Sequence, residues 1–402
     1  MKRRRVKITG LGPVTPAGVG RDEFWPGILD PVSRIRAFTK LGPEMGPFVA
    51  AYIEKFHIED YVDKAAVPKG AARHTVFAIA GAVLALRDAG LTAAEFDRMN
   101  AVVVAGSSLM DFDGISRTIE GVATKGIRGA QPRTVYTTNA AVIPASIVQT
   151  LGVSARAMAI QTSCCAGMDA IGQAVKMVAF GEADIAICGG TEAPLYRTPL
   201  VELRATGLTP ASVDTPRKQD RPFDLWRTTG VVSEGAAMLV IEAEDSPRPG
   251  YSFISGYAHA MDLADRSCSG MTVAMKLAIA DARLNAKGID VVNAWGPGHR
   301  QVDAAEAEGL KEIFGTRLPE IPVHSIKGAL GNPLGAAPAM QVVTAALAQR
   351  HGMIPPTVNW EFPDPACPLN LSGHARAVAH DTTLINAHGL SGVNSSLVLT
   401  RC

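Results

Sequence analysis

Cys164 has the strongest claim to chemistry in this chain. It lies in Ile160-Gln-Thr-Ser-Cys164-Cys165-Ala-Gly-Met-Asp-Ala-Ile171, where an apolar strand ends at Thr162, small residues allow a tight turn, and an amphipathic helix begins at once. That spacing predicts Cys164 at or next to a helix N-terminus, where unpaired N–H groups and the positive end of the helix dipole stabilise a thiolate. The neighbouring amides can also hold the oxyanion of a tetrahedral thioester adduct. Cys165, Cys188 and Cys268 read instead as small apolar packing residues.

The elements that must position this thiol alternate. Short β-branched runs, Val6–Gly10, Ala101–Gly106, Ala159–Thr162, Ala183–Gly189, Ala237–Glu242, Val291–Ala294, Pro322–Ile326, Thr383–Ala387 and Ser395–Thr400, read as buried strands. Between them lie helical periods. One carries Phe77, Ala80, Gly81 and Leu84 on a face, a second Ile171, Ala174, Val175 and Val178, and a third Val273, Leu277, Ala280 and Leu284. The alternation predicts an α/β architecture in which helices cover mostly parallel sheets. An internal echo runs across the region near Asp245–Pro249. AVVVAG, TSCCAGMDAIGQAV, then ADIAICGG with AAMLVIEA are answered by DVVNAWG, SIKGALGNPLGAA, then TTLINAHG with SSLVLTR. The echo predicts a duplicated fold, with residues 1–247 as an N-terminal half carrying Cys164 and 248–402 as a C-terminal half.

Composition narrows the partners. The 402 residues are 47% hydrophobic and 19% charged, with a formal net charge of +1, so there is no field to hold a polyanion and nucleic acid is not expected. No apolar stretch approaches the roughly 20 residues of a membrane span, and Lys7, Gly10, Gly12 and Pro13 prevent a signal-peptide core from following the basic run Lys2–Arg5. A cytoplasmic location follows as the expectation. Six cysteines are too sparse for a disulfide framework and lack the paired spacing of a zinc site.

Eight segments in register carry a family resemblance: TSCCAGMDAIG, GEADIAICGGTEAP, RPFD, EGAAMLVIE, VNAWG with DAAEAEGLKEIFG, SIKGALGNPLGAA, PPTVN and GLSGVNSSL. Their order and spacing resemble the type II β-ketoacyl-acyl-carrier-protein synthases of the thiolase-like class, over nearly the whole chain. The resemblance implies a five-layered α-β-α-β-α fold with duplicated halves, and a homodimer or a heterodimer with a paralogous ketosynthase. It also implies acyl chains delivered on the phosphopantetheine of an acyl carrier protein, with no bound metal or redox cofactor. In that family a cysteine takes up an acyl group, and two histidines then promote decarboxylation of a malonyl thioester. The cysteine maps onto Cys164.

The sequence departs from the family where the histidines belong. Trp295 stands in Asn293-Ala294-Trp295-Gly296 at the place of the first, and an indole N–H donates one hydrogen bond but accepts no proton. Pro297 and His299 replace two threonines that in the family bind pantetheine. Asn332, in Lys327-Gly-Ala-Leu-Gly331-Asn332, stands for the second histidine, as in related Cys-His-Asn synthases where the amide is an oxyanion donor. Lys327 and Glu306 are the expected supporting residues. Gly389-Leu390 replaces the glycine-phenylalanine gate, with the Leu390 N–H expected to face Cys164, and His388 and His299 are candidate substitute bases. Arg73, Arg217, Lys218 and Arg221 are candidate members of a basic carrier-protein face. These features predict an acyltransferase loaded on Cys164 whose decarboxylative condensation is in question. The alternative is a non-condensing subunit, like a chain-length factor, that pairs with a competent ketosynthase.

Overall fold

The computed structural model describes residues 3–264 and 268–402, so Lys2 of the basic run lies outside the described residues. The apolar runs form β1 (Val6–Thr15), β2 (Ala101–Gly106), β3 (Arg156–Ile160), β4 (Ile185–Glu192), β5 (Gly235–Ala243), β6 (Ser252–Met261), β7 (Val291–Asn293), β8 (Val323–His324), β9 (Thr382–His388) and β10 (Val393–Arg401). They lie side by side as β8-β7-β9-β10-β6-β1-β5-β4-β2-β3, with Gly18–Val19 folding back on β1. The β6–β1 seam is a single residue pair, Lys7 with Phe253, so the sheet divides there into two halves. Within each half the strands, counted in chain order, stand third, second, fourth, fifth, first. The echo in the sequence is a repeated topology.

Six helices matter for the site: α1 (Arg73–Asp88), α2 (Val142–Leu151), α3 (Ala166–Ala179), α4 (Ser269–Asp281), α5 (Arg300–Phe314) and α6 (Ala337–His351). Each half places its third-to-fourth-strand crossover, α3 or α6, on the inner face of its sheet, where the two helices pack on each other. The remaining four helices cover the outer faces, which gives the α-β-α-β-α layering of a thiolase-like fold. Ala337 to Gln349 is buried without interruption, and this is why α6 shows no apolar stripe: it has protein on every side. Its polar residues are paired inward; the Gln341 amide donates to Ala294 O at 2.9 Å and Thr344 Oγ1 to Met340 O at 2.8 Å.

Two expectations need correction. The sheet is mixed rather than mostly parallel: β2 runs parallel to β3 and β4, and β7 to β8 and β9, but β1, β5, β6 and β10 pair antiparallel. The fourth and fifth strands of each half are antiparallel neighbours, and β9–β10 is a tight hairpin that needs no crossover helix. The apolar face assigned to α4 is also the wrong one. Val273 and Leu277 are 48% and 50% exposed, while Met271, Ala274, Met275, Ala278 and Ile279 are buried. Both stripes are apolar, so periodicity alone did not choose between them.

The crossing of the halves is close because glycines make it so. A Cβ on Gly167, in the first turn of α3, would lie 2.5 Å from the Gly335 carbonyl oxygen and 3.2 Å from Gly190 Cα. We therefore expect Gly167→Ala to lower stability by about 1–3 kcal/mol, seen as a fall in urea midpoint at unchanged slope. An unchanged midpoint would mean that the two halves separate without cost.

Candidate active site

Cys164 sits where the sequence put it, in a one-turn segment, Ser163–Cys165, between β3 and α3. Ser163 holds a φ of 53°, a left-handed conformation costly for a residue with a Cβ, and this sharp elbow turns the thiol inward. Gly389 backs onto it so closely that a Cβ there would come within 3.0 Å of Ser163 Cβ. The Leu390 N–H is directed at the thiol, as is the Ser163 hydroxyl, and both favour its ionised form. Burial and the nearby Glu192 carboxylate act in the opposite sense and prevail, so the thiol is pushed up to about 11. The expected preformed thiolate gives way to a protonated thiol, because the elbow lies deeper than a helix terminus at the surface.

A cavity of about 60 Å³ opens over the sulfur. Its walls bring together Cys164, Trp295, Asn332, His388, His299 and Leu390, residues spread over more than half the chain. Asn332 follows Gly331, whose φ is 69°, and its Oδ1 accepts from Leu334 N–H at 3.2 Å, which leaves the donor end of the amide for the cavity. Trp295 is held from below. Glu306 accepts from the backbone N–H groups of Trp295 and Gly296, each at 2.9 Å, and Lys327 Nζ donates to the Trp295 carbonyl at 3.1 Å while lying 4.2 Å from the indole centroid. Burial drives the Lys327 ammonium down to about 7 and raises the Glu306 carboxyl. Neither side chain lines the cavity; both fix the tryptophan's backbone.

The histidines divide. His388 Nδ1 lies 2.8 Å from Asn394 Oδ1 and its Nε2 lies 3.7 Å from Cys268 Sγ, so both ring nitrogens are engaged away from Cys164. The hairpin register opposes His388 to Asn394 and makes this so. The substitution of His388 as a base for Cys164 is thereby corrected. Cys268, read as apolar packing, is instead partnered by that imidazole. His299, at the N-terminal boundary of α5, keeps its buried Nδ1 without a hydrogen-bond partner among the described residues. Burial, His388 and Arg227 all push its pKa below the ordinary histidine value, which favours the neutral imidazole in the cavity wall.

Glu192 is the residue that motif reading missed. It closes β4, is 1% exposed, and accepts from the N–H groups of Ser108 (2.7 Å), Leu109 (3.3 Å) and Gly335 (3.3 Å) and from the Ser107 hydroxyl (3.2 Å). Burial nevertheless raises it to about 7. The available signal was a lone acid ending an otherwise apolar strand, in IAICGGTE. The proposed basic face is also thinner than expected. Arg73 forms a bidentate pair with Glu234, Arg221 is held by Asp224 and Glu361, and Lys218 pairs with Glu361, while Arg217 is exposed.

A protonated, carboxylate-flanked thiol makes a direct prediction. Iodoacetamide labelling of Cys164, followed by peptide mass spectrometry, should accelerate about tenfold per pH unit from neutrality upward. Glu192→Gln should raise the rate above neutrality, where Glu192 is ionised, since it removes the adjacent negative charge. A plateau near neutrality in the unsubstituted protein would mean a preformed thiolate.

Residues 3–246 match the family described as "Beta-ketoacyl synthase, N-terminal domain" and residues 250–361 the one described as "Beta-ketoacyl synthase, C-terminal domain". The chain is 31% identical to the 3-oxoacyl-[acyl-carrier-protein] synthase 2 of Coxiella burnetii over 414 residues, covering 100% of this chain and 99% of that protein. Among solved structures, the ishigamide ketosynthase/chain length factor superposes with a TM-score of 0.92 at 28% identity over 100% of both chains. A type II PKS ketosynthase solved bound to the hexaketide, in complex with its acyl-carrier protein, does so with a TM-score of 0.90 at 25% identity, again over 100% of both chains. Matched along its length in sequence and in three dimensions, this chain belongs to the β-ketoacyl synthase family.

Proposed function

We propose that this chain is an acyltransferase of fatty-acid or polyketide-type biosynthesis that accepts an acyl group from carrier-protein phosphopantetheine onto Cys164. The observation that carries the proposal is the elbow thiol beneath the Leu390 N–H, in a cavity that also holds the Asn332 amide. Thiol attack on the incoming thioester forms a tetrahedral oxyanion, which the Leu390 N–H is directed to receive; collapse expels the pantetheine thiol. The Cys164 proton needs an acceptor, and the neutral His299 imidazole in the cavity wall is the candidate. Asn332 and Trp295 contribute donors only. A malonyl thioester bound there would find hydrogen bonds for its developing enolate but no second imidazole, so decarboxylation is the step we expect to be impaired. Carrier-protein substrates would place the reaction in the cytoplasm, with no cofactor beyond the carried phosphopantetheine, and we divide the halves at residues 247 and 248.

A second reading is a non-condensing partner subunit resembling a chain-length factor, which needs a surface for a second subunit. β3 is the end strand of the sheet, and its Arg156, Ala157 and Met158 are exposed. The segment leading into it exposes Ile119, Ile127 (89%), Val135 and Tyr136. An open strand edge beside such apolar side chains suits a second subunit, either another copy or a paralogous ketosynthase. Among the described residues no helix is long and apolar enough to cross a membrane.

Incubation with acyl-carrier-protein thioesters and with malonyl-carrier protein, read by intact mass and released carbon dioxide, separates the readings. We expect an acyl adduct that Cys164→Ala abolishes, with little carbon dioxide; Trp295→His should increase carbon dioxide release. No adduct from any acyl length would leave the partner-subunit reading. Ile127→Arg combined with Met158→Arg should shift the oligomer toward monomer in light scattering; an unshifted mass would put the interface elsewhere.

A further inference from the structure

A second cluster of chemically able side chains lies at the far side of His388, where the ends of three adjacent strands meet the start of α4. Asp262 follows β6, Cys268 immediately precedes α4, His388 ends β9, and Asn394 lies opposite it near the start of β10. Among the described residues this is the group in which three metal-ligating side chains converge, with the ligand atoms of Asp262, Cys268 and His388 all within 4.8 Å of one another. Cys268 and His388 are only 5% and 8% exposed.

The polar contacts orient every ligand. His388 gives its Nδ1 to Asn394 Oδ1 at 2.8 Å, and since an amide oxygen only accepts, Nδ1 carries the proton and Nε2 presents its lone pair. That lone pair faces Cys268 Sγ at 3.7 Å. In a tetrahedral zinc site, Zn–S and Zn–N bonds put sulfur and nitrogen about 3.5 Å apart, which this separation approaches. The same Asn394 donates from Nδ2 to Asp262 Oδ1 at 2.7 Å, so one residue positions two ligands. Asp262 also accepts from the N–H groups of Cys268 (2.7 Å, at Oδ2) and Gly270 (2.9 Å, at Oδ1), so Oδ1 is filled by two hydrogen bonds while Oδ2, with one, retains a lone pair for a cation. A thiolate and a carboxylate offset a divalent charge, so the filled site would be neutral where it is most buried.

We propose that Asp262, Cys268 and His388 bind one zinc-class divalent cation, with Asn394 as the positioning residue. Binding forms a metal–thiolate bond and releases the Cys268 thiol proton to solvent. The cation would tie the start of α4 to the β9–β10 loop that carries Gly389 and Leu390. It would therefore brace the loop over Cys164 without taking part in acyl transfer, and it stands independently of the reading of Cys164.

The full-length protein, stripped with chelator and kept reduced, is titrated with cobalt(II) and then zinc(II). We expect one cobalt per chain with a thiolate-to-cobalt charge-transfer absorption that zinc displaces. Cys268→Ser should abolish that absorption, and His388→Gln should weaken binding by at least about tenfold. Asp262→Asn, which retains an acceptor for the helix N–H groups, should also weaken it, and Cys164→Ala should leave the absorption in place. Far-ultraviolet circular dichroism identifies any variant that has lost its fold. Absence of stoichiometric binding overturns the proposal, as does an absorption that survives Cys268→Ser in a folded protein. Rapid alkylation of Cys268 with no cation bound would equally overturn it and make the pair an activated thiol.

Discussion

The Glu192 carboxylate sits at the seam where the two halves of the chain meet, and much else follows from its burial. Its oxygens are satisfied by N–H groups from the loop after β2 and from Gly335, just before α6. A buried carboxylate left without such donors would cost several kcal/mol, so the two halves are obliged to approach until both sets reach it. Glycine at 167, 190 and 335 removes the side chains that would prevent that approach. The same approach sets α3 against α6 and lowers the Ser163 elbow into the interior. A charge placed to join the halves thereby also opposes ionisation of Cys164.

Around Trp295 the framework is firm. Glu306 and Lys327 are fully buried, and their hydrogen bonds go to the backbone of Trp295–Gly296 and to the buried amides of Asn386 and Gln341 rather than to the cavity. That arrangement holds a loop in place whatever side chain it carries. An indole there offers a flat apolar wall and one donor, in a cavity of about 60 Å³ that Leu390 also lines. His388 is committed to Asn394 and Cys268, and His299 is the other imidazole in the cavity wall.

The strands, the elbow and the repeat were legible in the sequence. Alternating β-branched runs, small residues before an apolar helix, and the paired AVVVAG and DVVNAWG segments are local patterns, and local patterns are decided by dihedral preference and turn chemistry. Gathering Cys164, Trp295, Asn332 and Leu390 was also within reach, because a family resemblance carries non-local information that single-chain periodicity lacks. The antiparallel centre of the sheet was harder to see, since a buried antiparallel strand reads like a parallel one when both of its faces are covered.

By itself, then, the sequence determined which segments are strands and helices, where the Ser163–Cys165 elbow lies, and that the chain repeats its architecture. Only the tertiary structure decided which apolar face of α4 is buried, that Glu192 stands beside Cys164, and that His388 turns toward Cys268, 120 residues away along the chain. The physical reason is common to all three. Burial, desolvation and side-chain pairing depend on what other parts of the chain arrive at the same place, and no local pattern carries that information.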